Sequence, residues 1–389
     1  MEPEIHPSLL EETRDAARTE LPVKLAADSA LAAGPEEYRG LRWIFIGPRG
    51  LRAGWSVAIF IALFFLFSAA VGTLLVKTHL FDPKAHFTAF AAFFGELIPF
   101  LGMVGAAALV ALIERRRSLL DFNLTGPRRP LHFISGLVAG FAALSALMGA
   151  LAWGGWLHFG PVALSGAEIF KFAGLWAAAF LLVGLVEEGV FRCYLQFTLT
   201  RGINFWWALG IEALICGDLL LRAKGNGVWG VYIIALLGLF PCLVLHLKKA
   251  ARSAFWQAAW VTSTLFGFIH TGNNGENWIG IFAAAAIGFV FCVSVRVTGS
   301  AWWAIGCHTA WDWSETYFYG AADSGNVATG HYLTTSPAGN ALWSGGTDGP
   351  EGSLLVLGIV LLLLVALVAI YGRKKPAGLP ELGAEPIAG

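Results

Sequence analysis

Residues 181–196 read LLVGLVEEGVFRCYLQ, and the reading of this stretch decides the fold. It lies inside an apolar run that begins near Ile169. Two adjacent carboxylates, Glu187 and Glu188, fall about where a spanning helix crosses mid-bilayer. Arg192 follows Glu188 by four residues, one helical turn on and on the same face. Ionised groups at such depth cost several kcal/mol each unless they are paired or hydrated. The stretch is therefore read as a membrane span that carries a functional charge cluster. The remaining chain is the frame that makes the cluster tolerable.

Composition agrees. The chain has 389 residues, of which 57% are hydrophobic and 13% charged, where soluble domains carry roughly 25% charge. Mean hydropathy is +0.66. The apolar excess is clustered into about ten runs near the rough 20-residue length of a span. The fold class expected is an all-α, polytopic transmembrane helical bundle. Net charge is zero, so no nucleic-acid partner is expected; membrane lipid is. Cys193, Cys216, Cys242, Cys292 and Cys307 are scattered without metal or redox spacing and read as small buried apolar side chains.

Spans are expected at about 54–77, 88–113, 132–157, 169–198, 203–221, 228–247, 255–272, 278–296, 301–319 and 353–371. The basic residues test this count. Arg115, Arg116, Arg117, Arg128 and Arg129 follow span two, and Arg201 follows span four. Lys248, Lys249 and Arg252 follow span six, Arg296 ends span eight, and Arg373, Lys374 and Lys375 follow span ten. Arg222 and Lys224 are the exception. The positive-inside rule then puts both termini in the cytoplasm. The chain divides into a polar tail with an interfacial segment (1–50), N-terminal spans (51–168), a core (169–320), an extramembrane loop (321–352), a last span (353–372) and a cytoplasmic tail (373–389). The start of the chain lacks a signal-peptide pattern. Glu96, ahead of Pro99 in span two, and Glu212 and Asp218 in span five are further intramembrane acids, read as structural or interfacial.

Two later motifs join the first. Phe266-Gly-Phe-Ile-His270 closes span seven, and His308-Thr-Ala-Trp-Asp312 lies in span nine with both polar groups on one face. Counting a rise of about 1.5 Å per residue puts Glu187 roughly 20 Å and His270 roughly 27 Å from the inner end of their helices. The same count gives roughly 10 Å for His308 and 16 Å for Asp312, so the groups bracket mid-depth. A tilted or deeper-starting span would bring them level. A carboxylate in a low-dielectric cavity can act as a general base on water. Two histidines and a carboxylate can hold a metal with an open position. Without a metal, His and Asp can orient water and stabilise an oxyanion.

At these three motifs the sequence resembles the CPBP family of intramembrane proteases, the CaaX-protease and bacteriocin-processing (Abi) group. Its pattern of EExxxR, FxxxH and HxxxN or HxxxD stands here as Glu187-Glu188-Gly-Val-Phe-Arg192, Phe266 to His270, and His308 to Asp312. The resemblance covers about residues 170–320. It implies an endopeptidase that cuts a membrane-associated peptide or protein, in a bacterial inner membrane. Glu187 would be the general base, and His270 would bind water or a divalent metal such as zinc. His308, a second metal ligand in that case, and Asp312 would complete the site. Glu188 and Arg192 would support the first motif.

Two departures are visible. The interval from Arg192 to Phe266 is longer than the family's usual spacing, which an inserted hairpin of about 203–247 explains. Asp312 stands where many members have Asn, which favours a metal or a protonated acid. Residues 345–353 (GGTDGPEGS) also look like a pattern in some bacterial members, or else like a Gly-rich turn capped by Ser353. Two rival readings are a non-proteolytic scaffold or immunity protein on the same fold, and an ion-coupled transporter using the same acids and histidines.

Overall fold

Each apolar run folds as a helix, since a chain in lipid must satisfy its backbone polar groups internally. The computed structural model describes residues 42–47, 50–84, 87–116, 118–222, 228–249, 252–273 and 275–372, with the side chains of 42–43, 222 and 228–237 left undescribed. The N-terminal tail up to residue 41, the C-terminal tail from 373, and Arg117 and Lys224 lie outside the described residues.

The helices are α1 (Ala53–Lys77), α2 (Ala89–Ile113), α3 (Arg129–Trp153) and α4, which runs unbroken as Ala167–Gly202. Then come α5 (Phe205–Arg222), α6 (Val228–Leu247), α7 (Ser253–Ile269) and α8 (Trp278–Thr298). The last two are α9 (Trp302–Asp312), extended by a π-helical turn Trp313–Tyr319, and α10 (Leu354–Tyr371). A helix thus underlies every expected span, and the protein is an all-α membrane bundle.

Six helices are long and apolar enough to cross a membrane: α1, α2, α3, α4, α8 and α10. The count of ten spans stays a proposal for the other four. α7 buries Gln257, Thr262, Ser263 and Thr264, and α9 with its π turn buries Asp312, Ser314 and Glu315. Helices enclosed by others need no apolar outer face, so hydropathy undercounts them. The outer helices behave oppositely: Phe65, Leu66, Leu112, Phe170, Leu361 and Leu362 are exposed, a surface that suits lipid and not water.

Residues 42–55 form a small unit of their own. A helical turn, Arg42–Phe45, leads into a two-stranded ladder of Ile46–Gly47 and Gly50–Leu51. Trp55 Nε1 donates to the Ile44 carbonyl at 3.0 Å.

In the main body, α3 and α9 touch backbone to backbone. A Cβ on Gly136 or Gly140 would run into the Trp303 or Cys307 carbonyl, and one on Gly306 into Phe133. Gly136 and Gly140 form a GxxxG pair, the small-residue spacing that lets spanning helices approach closely. Two apolar clusters flank this seam. One joins Leu144, Leu147 and Met148 of α3 to Val290 and Phe291 of α8 and Val360 of α10. The other joins Phe60 of α1, Met103 and Ala106 of α2, Phe191 and Tyr194 of α4, and Ile305 of α9.

The end of the body opposite Glu114 and Arg201 holds its one β-sheet among the described residues. Strands β1 (Leu157–Val162) and β2 (Leu333–Pro337) pair antiparallel, with Leu157 opposite Pro337 and Val162 opposite Leu333. Span three, expected to reach 157, ends sooner: α3 stops at Trp153, and the chain turns through Gly154 and Gly155 into β1. The 320–352 loop is thereby fixed. Trp156 stacks on Trp343 with centroids 5.1 Å apart, and Ser353 caps α10, accepting from the Leu355 amide as the turn reading expects.

At the other end, Glu114 binds both Arg116 (Nη2, 2.6 Å) and Arg201 (Nη1, 2.9 Å). The basic ends of α2 and α4 therefore share one end of the bundle, as the charge pattern expects. That this end faces the cytoplasm stays a proposal from the positive-inside rule.

Candidate active site

Glu188 and Arg192 sit where α4 widens into a π-helical turn, Gly189–Leu195. Such turns concentrate at functional sites, where an extra residue per turn re-aims side chains. Both residues are fully buried, with Arg192 Nε 3.2 Å from Glu188 Oε2. Three rings surround the guanidinium, Phe266 at 4.3 Å, Phe291 at 5.5 Å and Phe191 at 5.6 Å. Gly288 of α8 leaves room for it; a Cβ there would collide with Nη2. A buried pair of this kind holds only with such geometry and added hydrogen bonds.

The second partner of Glu188 is His308. Its Nδ1–H donates to Glu188 Oε1 at 2.9 Å. Its Nε2 lies 3.5 Å from Asp312 Oδ2 and 3.8 Å from Glu187 Oε2. The chain Arg192–Glu188–His308 thus keeps Nδ1 of His308 protonated and sets its ring plane, the way an outer partner orients a working imidazole. Glu187 is the odd member. Its side chain is 29% exposed, and its Oε2 has no hydrogen-bond partner among the described residues.

His270 ends α7, where its Nδ1–H donates to the Phe266 carbonyl at 2.7 Å. Nε2 is left free for the cavity that Glu187, His270, His308 and Asp312 line together. The cavity holds about 210 Å³ and is walled by Phe180, Val183, Ile287 and Phe291.

A straight count of helical rise separates His308 from Glu187, and the structure closes that gap. Ser300 and Ala301 are fully buried, and the Ala301 amide donates to the Asn123 carbonyl. α9 therefore starts enclosed by protein, against the segment that follows α2. The four catalytic candidates and the two supporting ones all meet at one place.

Sequence reasoning also missed members of this site. Glu96 of α2, read as structural, has Glu187 and His308 as its charged neighbours. Glu276, Asp323 and Glu351 line the same cavity. Glu351 stands in a suspected pattern and accepts from Trp311 Nε1 at 2.6 Å; Glu276 and Asp323 stand in polar loops with no local signal. Glu212 is different. It is buried in the inserted hairpin beside Gly238 and Thr264, away from the site.

As a metal site the donor set falls short. His270 and His308 hold Nδ1–H in hydrogen bonds to a carbonyl and to Glu188, which leaves Nε2 as the ring nitrogen each could offer an ion. Among the described residues no group of three His, Cys, Asp or Glu side chains is gathered to hold an ion. The residues as placed do not fit a zinc site.

A buried, ion-paired glutamate–arginine–histidine chain thus stands beside a second, cavity-lining glutamate inside a lipid-facing bundle. Residues 243–314 match the family model described as type II CAAX prenyl endopeptidase Rce1-like. The match spans α7 to α9 and carries the second and third motifs, so it bears out the resemblance to the CaaX proteases and points to an integral membrane protease. No curated protein and no solved structure matches the chain.

Proposed function

We propose that the protein is an intramembrane endopeptidase that hydrolyses a peptide bond of a membrane-associated peptide or protein by glutamate-activated water. The observation that carries the reading is the contrast within one glutamate pair. Glu188 is locked by Arg192 and His308, while Glu187 faces the cavity with a free oxygen.

Water held between Glu187 and the free Nε2 of His270 has both hydrogens engaged and a lone pair directed into the cavity. As its oxygen bonds to the scissile carbonyl carbon, its proton passes to Glu187. His308, doubly protonated between Glu188 and Asp312, donates its Nε2–H to the developing oxyanion. When the carbon–nitrogen bond breaks, Glu187 returns the proton to the leaving amine. The apolar walls exclude bulk water, which strengthens each of these interactions.

Glu187→Gln and His270→Ala are each expected to lower cleavage of a reporter membrane peptide by at least about 10²-fold, the rough size of general-base contributions. Their melting temperatures should stay near wild type. Full cleavage by both variants would end the assignment.

A further inference from the structure

The outer wall of the cavity carries charge that the proposed hydrolysis does not use. Glu276, Asp323 and Glu351 line it. Behind them Glu315 is fully buried, with both carboxylate oxygens unpartnered among the described residues. Its charged neighbours are Glu351, Asp323, Asp312 and Asp348. No Lys or Arg lines the cavity among the described residues. From residue 253 to 372 the sequence holds a single one, Arg296, about 30 Å along α8 from Glu276 by helical rise. Burial and neighbouring acids push both Asp323 and Glu351 upward. Acids placed this way hold their protons unless a cation joins them.

We propose that this wall, Glu276, Asp323 and Glu351 with Glu315 behind, binds an organic cation of the substrate, a primary ammonium or guanidinium, beside the bond to be cut. The word substrate rests on the endopeptidase reading; the cation site does not. A metal ion is the weaker occupant, because the acids ring the cavity without three converging on one point. Spacing of that kind suits a larger, partly hydrated cation held by charge-assisted hydrogen bonds. The loop at 320–352 then acts as a selectivity element: it supplies Asp323, hydrogen-bonded by Thr316 at 2.8 Å, and Glu351, hydrogen-bonded by Trp311.

The test uses the full chain in detergent, titrated calorimetrically with N-acetyl-lysine methylamide, alanine methylamide, N-acetyl-norleucine methylamide and calcium chloride. Saturable binding of the lysine probe without the norleucine probe is expected. Stronger binding of alanine methylamide would identify the cation as a free N-terminus instead of a side chain. Asp323→Asn with Glu351→Gln should weaken binding by about tenfold or more, and both amides can still accept the hydrogen bonds their parents accept. Glu187→Gln should bind the amine as wild type does. Equal response to lysine and norleucine, or saturable calcium binding that no amine displaces, would overturn the proposal. Peptide cleavage without amine discrimination would fail the cation site alone. Amine binding without cleavage of any reporter peptide would fail the endopeptidase reading alone.

Discussion

At the scale of the residue, two adjacent glutamates take different roles because their surroundings differ. Glu188 points inward to Arg192 and His308, whereas Glu187 points to the cavity. Arg192→Met would break the buried ion pair and leave the Glu188 carboxylate to His308. The expected cost is about 3–5 kcal/mol, read as a lowered melting temperature in detergent. Adding Glu188→Gln removes the charge left behind, so the double variant should regain much of that stability. It should not regain cleavage, because the charged partner that holds His308 is gone. Recovery of both together would show that Glu188 serves folding only.

At the scale of the element, the seam between α3 and α9 sets where His308 stands. Gly140 packs on the Cys307 carbonyl, one residue before His308. Gly140→Leu must push the helices apart, at a cost of about 1–3 kcal/mol for overpacking. The shift moves the imidazole away from Glu187, so cleavage should fall further than stability alone explains. Gly149, in the same helix, faces open space, with nothing within 4 Å of where a Cβ would stand. Gly149→Ala should therefore leave cleavage unchanged and raise the melting temperature slightly, since Ala is favoured over Gly in a helix interior by roughly 0.5–1 kcal/mol. Comparing the two variants separates helix propensity from helix packing.

At the scale of the molecule, the bundle is closed at both ends by acids with opposite pH behaviour. Burial works against ionisation of Glu114, yet the Ser56 hydroxyl, Arg116 and Arg201 outweigh it and hold the carboxyl below its ordinary value. That stabilisation is present above the ordinary carboxylate range and is lost as pH falls through the lowered value. At the other end, Glu276 and Asp348 are hydrogen-bonded to each other; burial and the charge of Asp348 lift Glu276 to about 8, and burial with the charge of Asp323 lifts Asp348 to about 6. A raised acid favours the fold while protonated, so this contribution is full below the ordinary carboxylate range and is lost as pH rises through about 8. Melting temperature against pH should therefore fall on both sides. Glu114→Gln should flatten the acid limb, and Glu276→Gln the alkaline limb.

The sequence by itself determined the class of fold and the six residues that meet at the site. Apolar run length, the placement of arginines and three spaced motifs are local quantities, and lipid makes them decisive by forbidding unpaired backbone and lone charge. Only the tertiary structure decided which glutamate is free, where His308 stands in depth, and that Glu96, Glu276, Asp323 and Glu351 join the cavity. Those outcomes depend on a helix that starts inside the protein, a π turn, and a loop tied down by a two-stranded sheet. Each is set by contacts between residues far apart in the chain, and no pattern within one segment encodes them.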